Sequence, residues 1–261
     1  MISLERRADR PLRIGHRGAA ALTPQNTIRS FRAAHAAGVD LIEFDVLELR
    51  SGDLVVAHSD DLFEVSHGAL RGSVRERTLA SLRAVAPELP VLDEALQFFV
   101  EEAPELGVHV DVKSIGAEEQ IVDALRRYDL VERALVSSFL PGVLREVARL
   151  EPGLRTCISF PRDRLRISSR RGSRPAVRAG LRMLRPVTPA FAGRLLAHAG
   201  ASTLALQHML VTAAVVRRAH ARDAPVIAWT LENRRDLERV TEAGVDAIVV
   251  DDPHLFGPGS G

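Results

Sequence analysis

Short apolar runs alternate with amphipathic stretches along most of the chain. PLRIGH closes a run that reads as a strand, NTIRSFRAAHAAG spaces its apolar residues at helical intervals and stops at Gly38, and VDLIEFDVLEL alternates as a strand again. The beat recurs in GVHVDVK followed by EEQIVDALRRYDL, in ALVSSF followed by PGVLREVARL, and in LRTCISF. It continues in STLALQ followed by VTAAVVRRAHA, in PVIAWTL followed by RRDLERVTEAG, and in VDAIVVDD. Strand–helix units repeated this often in 261 residues predict an α/β fold closed as a (β/α)₈ TIM barrel rather than an open doubly wound sheet. No linker interrupts the pattern, so residues 1–261 are expected to form a single domain.

Two segments break the beat. Residues 57–92 are too long and too polar for a simple connection, and they are expected to form an insertion at the barrel mouth after the second barrel strand. Residues 161–194 hold ten arginines and one acid, Asp163. One expectation for this block is a solvated helical excursion. The other is peripheral contact with an anionic membrane through residues 162–185, because a guanidinium fork bonds two phosphate oxygens at once.

Alternation also sorts the polar residues. On a strand LIEFDV, Glu43 and Asp45 share one face and Ile42, Phe44 and Val46 the other. On GVHVDVK the same rule groups His109, Asp111 and Lys113 against Val108, Val110 and Val112. In one barrel, both polar rows face the lumen and climb toward the C-terminal mouth, with His109 on the packed floor below Asp111. Three carboxylates converging there repel one another unless a cation sits among them. A hard divalent ion with oxygen ligands, Mg²⁺ or Ca²⁺, is the expected occupant of a site made by Glu43, Asp45 and Asp111. Among nine histidines, His16 ends the first strand and His58 ends the run DLVVAH, positions from which a pair could exchange protons near neutral pH.

Bulk chemistry narrows the partners. The 35 basic residues nearly balance 34 acids, for a net charge of +1, which leaves no overall basic excess for nucleic acid. Lys113 is the only lysine, so arginine meets every other need for positive charge. The single cysteine, Cys157, allows no internal disulfide and fits a reducing compartment. The stretch MISLERRADRPLRIGHRG is charged where a signal peptide needs an apolar run, and no segment reaches the roughly 20 apolar residues of a membrane span. A cytoplasmic location is expected.

The stretch GHRGAAALTPQNT resembles the H-R-G-x5-P-E-N-T signature of the glycerophosphodiester phosphodiesterases. The resemblance continues in order through FRAAHAAGVDLIEFDV, DLVVAH, LPVLDEAL, DVK, SSF, AWT and GVDAIVVDDP, nearly the whole chain. It implies a metal-dependent barrel that cleaves glycerophosphodiesters to glycerol 3-phosphate and an alcohol. By motif, His16 and His58 would be the acid/base pair, and Glu43, Asp45 and Asp111 would bind one divalent cation, with Mn²⁺ a third option. Arg17 would hold a phosphate oxygen, Lys113 would add charge beside the phosphate, and Trp229 would wall the substrate's organic part.

Three positions depart from that pattern. Gln25 stands where the family usually has glutamate, Ser59 where an aspartate commonly follows the second histidine, and Asp111 where bacterial members mostly have glutamate. With Ser59 in place, Asp60 or Asp61 is expected to orient His58. The shorter Asp111 also resembles the sphingomyelinase D and lysophospholipase D branch, so cleavage of lipid head groups is an alternative activity. A catalytically silent barrel that binds phosphodiesters or a protein partner is the alternative of another class.

Overall fold

Alternation along the strands sorts their side chains to two sides, and a closed sheet follows from where each side finds cover. The computed structural model describes residues 10–66, 68–162 and 172–257. Its strands are β1 (Leu12–His16), β2 (Leu41–Glu48), β3 (Leu54–Val56), β4 (Gly107–Val112), β5 (Ala134–Ser138), β6 (Arg155–Phe160), β7 (Thr203–Gln207), β8 (Val226–Leu231) and β9 (Ala247–Val250). All but β3 pair in parallel in the order β1-β2-β4-β5-β6-β7-β8-β9, and β9 returns to β1. The expected (β/α)₈ barrel is therefore closed. β3, which carries the DLVVAH run, pairs antiparallel with the end of β2 and lies outside the barrel.

The helices are α1 (Ile28–Ala36), α2 (Leu62–Val65), α3 (Leu79–Arg83), α4 (Leu92–Glu101) and α5 (Glu118–Arg127) in the first half. The second half adds α6 (Pro141–Leu150), α7 (Arg174–Leu184), α8 (Thr188–Ala199), α9 (Ala213–His220) and α10 (Arg234–Glu242). Phe44 on the outer face of β2 meets Phe31 of α1 at 5.4 Å and Phe99 of α4 at 6.0 Å between ring centroids. Val108, Val110 and Val112 extend the same outer layer, while Leu12, Ile14, Leu41, Leu135, Cys157 and Ile227 are among the residues that fill the barrel itself. Burial of that lumen keeps the Cys157 thiol protonated by raising its pKa well above the ordinary value.

The insertion after β2 has a core of its own. Leu62 of α2 and Leu82 of α3 are fully buried with Val55 and Val74, against Leu47 at the end of β2. It is thus a packed wall at one side of the mouth. Of the arginine-rich segment 161–194, residues 163–171 lie outside the described residues, and the remainder forms α7 and α8. No helix among the described residues is long and apolar enough to cross a membrane.

The turn after β1 is held by close backbone approach. Arg17 and Gly18 both have positive φ, 50° and 84°, and the Ser30 hydroxyl of α1 donates to the Arg17 carbonyl at 2.8 Å while accepting from Ala19 N–H at 2.8 Å. A Cβ on Gly18 would lie 2.6 Å from the Ser30 carbonyl carbon and closer still to its hydroxyl. Gly18→Ala combines this clash with a strained φ, and is expected to lower the unfolding free energy by about 2 kcal/mol or more. Chemical denaturation measures it; an unchanged midpoint would show that the turn relaxes freely.

Candidate active site

Pairing of β2 with β4 sets Asp45 directly beside Asp111 and Glu43 beside His109. Glu43, Asp45 and Asp111 are buried, and one oxygen from each lies within 4.8 Å of the others. Neighbours converge on them from four segments. Arg17 N–H donates to Glu43 Oε2 at 2.9 Å, and Asn26 Nδ2 donates to Asp45 Oδ2 at 2.8 Å. The Arg17 guanidinium pairs with the same Asp45 oxygen at 3.0 Å through Nε. Lys113 Nζ lies 2.6 Å from Asp45 Oδ1 and also contacts Asp111 Oδ2. Ser137 on β5 donates to Asp111 Oδ1 at 2.6 Å. Because that hydroxyl donates its proton to Asp111, it accepts from His109 Nε2 at 2.9 Å. His109 therefore carries its proton on Nε2 and belongs to the lumen beneath the cluster; burial takes its pKa down to about 4.

Charge is divided unevenly among the three acids. Burial raises the Asp45 pKa, but Lys113 and Arg17 outweigh it and hold the carboxyl strongly ionised. For Glu43, burial and then the charges of Asp45 and Asp111 push the pKa well above the usual carboxylate range. Lys113 shows the converse: burial works against its charge, yet Asp111 and Asp45 raise its pKa. Three acids facing two cationic side chains leave Glu43 as the uncompensated member, and an added cation would relieve it. The oxygen-only donor set and the spacing fit a metal ion, and the cluster could hold one.

Two histidines border the cluster. His16, at the end of β1, lies 2.5 Å through Nδ1 from Asp251 Oδ1, just beyond β9, and 3.9 Å through Nε2 from Glu43 Oε2. Burial lowers its pKa despite the Asp251 bond. His58, two residues past β3, meets Glu64 Oε1 at 3.1 Å through Nδ1. Each ring is thus held at Nδ1 by a carboxylate. Trp229 is half-buried on β8, next along the lumen face from Ile227, with its ring 5.7 Å from Phe139 and nearly perpendicular to it.

The family model for the glycerophosphoryl diester phosphodiesterase family matches residues 16–255. The chain belongs to that family. A glycerophosphodiester phosphodiesterase of Caldanaerobacter subterraneus subsp. tengcongensis is 26% identical over 259 residues, covering 93% of this chain and 95% of its own. The solved glycerophosphodiester phosphodiesterase of Thermotoga maritima superposes with a TM-score of 0.72 at 19% identity, over 94% of this chain and 96% of that one. A phosphodiesterase of Oleispira antarctica, solved in complex with the product sn-glycerol-3-phosphate, does so with a TM-score of 0.70 at 21% identity, over 94% and 95%. At those identities the two structures speak for the fold.

Against the family signature, the departures at Gln25 and Ser59 meet at one residue. Gln25 accepts from Arg17 Nη1 at 2.7 Å and donates through Nε2 to Glu64 Oε1 at 2.9 Å, while Ser59 donates to Glu64 Oε2 at 2.6 Å. Glu64, rather than Asp60 or Asp61, orients His58. Asp60 instead accepts from Ser73 Oγ and Arg75 N–H, both at 2.7 Å, and Asp61 caps α2 by accepting from Phe63 N–H at 3.0 Å. Asn26, Ser137 and Asp251 are further site residues that strand alternation alone did not single out. All three lie inside stretches that resemble the family motifs, PQNT, SSF and VVDDP.

Burial alone would raise the Glu64 pKa, but bonds from His58 and Ser59 lower it to about 2. A carboxyl depressed in the folded state stabilises the fold above its unfolded pKa near 4.5, and that contribution fades as pH falls toward about 2. With the side chain 28% exposed and solvent screening allowed for, the contribution is about 1–2 kcal/mol. Denaturation of wild type and Glu64→Gln from pH 7 to pH 2 should therefore show a stability gap that narrows below about pH 4.5. A gap independent of pH would remove the charge of Glu64 from the account.

Proposed function

We propose that the chain hydrolyses glycerophosphodiesters to glycerol 3-phosphate and an alcohol, with one divalent cation held by Glu43, Asp45 and Asp111. The observation that carries this reading is the buried three-carboxylate cluster bordered by two histidines, each tied at Nδ1 by a carboxylate. That tie orients Nε2 as the proton-exchanging atom. Family membership and the product found with the Oleispira protein support the same substrate class. Mg²⁺ or Ca²⁺ suits hard oxygen donors, and Mn²⁺ tolerates them. Bound there, the cation would polarise the phosphoryl oxygens and offset charge that grows on them.

The chain's own residues supply the rest. His16 and His58 form the acid/base pair: one withdraws the proton of the attacking oxygen as it bonds to phosphorus, and the other gives a proton to the alcohol oxygen as its bond breaks. Arg17 and Lys113, already fixed by carboxylates, present positive charge to phosphate oxygens without reorganisation. Trp229 bounds the side of the mouth that takes the organic part. A cytoplasmic setting agrees with one buried, unpaired cysteine.

The test is a panel of glycerophosphocholine, glycerophosphoethanolamine, lysophosphatidylcholine and sphingomyelin offered to metal-stripped protein before and after Mg²⁺, Ca²⁺ or Mn²⁺ is restored. Turnover of the first two on metal addition is expected; no turnover with all three metals would sink the reading, and turnover confined to acyl-bearing lipids would move it to head-group cleavage. His16→Ala and His58→Ala are each expected to lose roughly 10²-fold or more in rate. A variant with near-normal activity would take that histidine out of the mechanism.

Lys113 offers a sharper probe. Its ammonium fits between Asp45 and Asp111, where the planar fork of arginine needs more room. Lys113→Arg should keep the charge and the fold yet lose about tenfold or more in kcat. Unchanged kinetics would make the one lysine incidental.

A further inference from the structure

Arg174, Arg178, Arg182 and Arg185 recur at steps of four, four and three along α7 and its C-cap. At about 100° per residue they fall within an arc of roughly 80°, a single stripe. The neighbouring stripe carries Val177 and Leu181, of which Leu181 is buried against the body of the protein. α7 contains no acid. Elsewhere several exposed helix arginines are paired with acids: Arg32 with Glu102, Arg126 with Glu151, Arg149 with Glu146. Among the described residues, none of the four arginines on α7 has an ion-pair partner.

These four guanidinium groups line a cleft of about 730 Å³ between α7 and the C-terminal ends of β7 and β8. The far wall adds Arg235 and Arg239, and the acids are Glu232 and Asp236. Asp236 is already engaged by Arg239 at 3.1 Å and by Asn233 at 2.9 Å, so the cleft is strongly positive. It also reaches the barrel mouth. Gln207, which lines it, continues the lumen-facing row of Ala205 and lies beside Trp229 in the strand register; Thr230, also in its wall, directly follows Trp229. A volume of this size fits a small-molecule group rather than a flat surface.

We propose that this cleft is a subsite for a second phosphate-bearing group, carried on the alcohol portion of the substrate beyond Trp229. The proposal rests on the hydrolase reading above and narrows it to glycerophosphodiesters whose alcohol is itself phosphorylated. Unpaired arginine forks in a concave wall match phosphate oxygens in geometry and charge. The same chemistry could be met by a free phosphate ester or by a lipid head group, and the experiment separates them.

Wild type and the Arg178→Gln/Arg182→Gln double variant are compared on bis(glycerophospho)glycerol, which has two phosphates, and on glycerophosphocholine, which has one. The variant should lose about tenfold or more in kcat/KM on the first, mainly through KM, and stay within about twofold on the second. Equal change on both substrates would overturn the proposal. Calorimetric titration of metal-free protein with inorganic pyrophosphate gives a readout that needs no turnover: binding should weaken about fivefold or more in the variant. If neither substrate turns over while that binding difference stands, the hydrolase reading falls and the anion site survives. If pyrophosphate binds both proteins alike, the site falls. Co-sedimentation with phosphatidylglycerol vesicles that is lost in the variant, with the two soluble substrates processed alike, would assign the arginines to a lipid surface and overturn the subsite.

Discussion

Like charge gathered inside the barrel is the constraint on which the site depends. Glu43, Asp45 and Asp111 are buried within 4.8 Å of one another because two adjacent strands pair in register and turn the same face inward. Such a cluster is costly unless each oxygen finds a donor or a countercharge. The surrounding structure is arranged to meet that requirement. The positive-φ turn at Arg17 aims its N–H at Glu43 and its side chain at Asp45; Asn26, also at positive φ, reaches the same Asp45. Lys113 spans Asp45 and Asp111, and Ser137 with His109 supports Asp111 from below. Two cationic side chains against three acids leave a deficit that falls on Glu43.

A second consequence concerns the elements outside the barrel. His16 is secured within the barrel's own seam, by Asp251 after β9. His58 is secured by Glu64, which belongs to α2 in the insertion. The insertion's small core around Leu62 and Leu82 therefore fixes a carboxylate against the second histidine as well as walling the mouth. Packing in that satellite core and the orientation of His58 are one problem, since α2 moves as a unit with Leu62 and Glu64.

Much of this was legible in the chain because a period of two is unambiguous on strands this short. It assigned Glu43, Asp45 and Asp111 to the lumen and Ile42, Phe44 and the valines of β4 to the helices, as the structure has them. What it could not reveal depends on approach between distant segments. DLVVAH has the composition of a barrel strand, yet its antiparallel pairing with β2 is set by a tight turn at Gly52, whose φ is 90°. Glu64 sits in a helix of four residues, and nothing in DDLFEV marks one of its three acids as the partner of His58. Burial and direction choose among them: Asp61 is drawn off to cap α2, and Asp60 accepts from the Ser73 hydroxyl and the Arg75 N–H.

The departures at Gln25 and Ser59 make sense as a pair once Glu64 is in place. Each would remove a negative charge where family members commonly have one, beside Arg17 and beside His58. Glu64 approaches both basic side chains, 3.6 Å from Arg17 Nη1 and 3.1 Å from His58 Nδ1. A single carboxylate then serves two basic neighbours. A second acid at position 25 would stand within hydrogen-bond distance of it and repel it, whereas an amide donates one hydrogen bond to Glu64 and accepts one from Arg17. A serine at 59 likewise donates where an aspartate could only accept. The two neutral side chains are therefore compatible with a carboxylate at 64, which stands beside both Arg17 and His58.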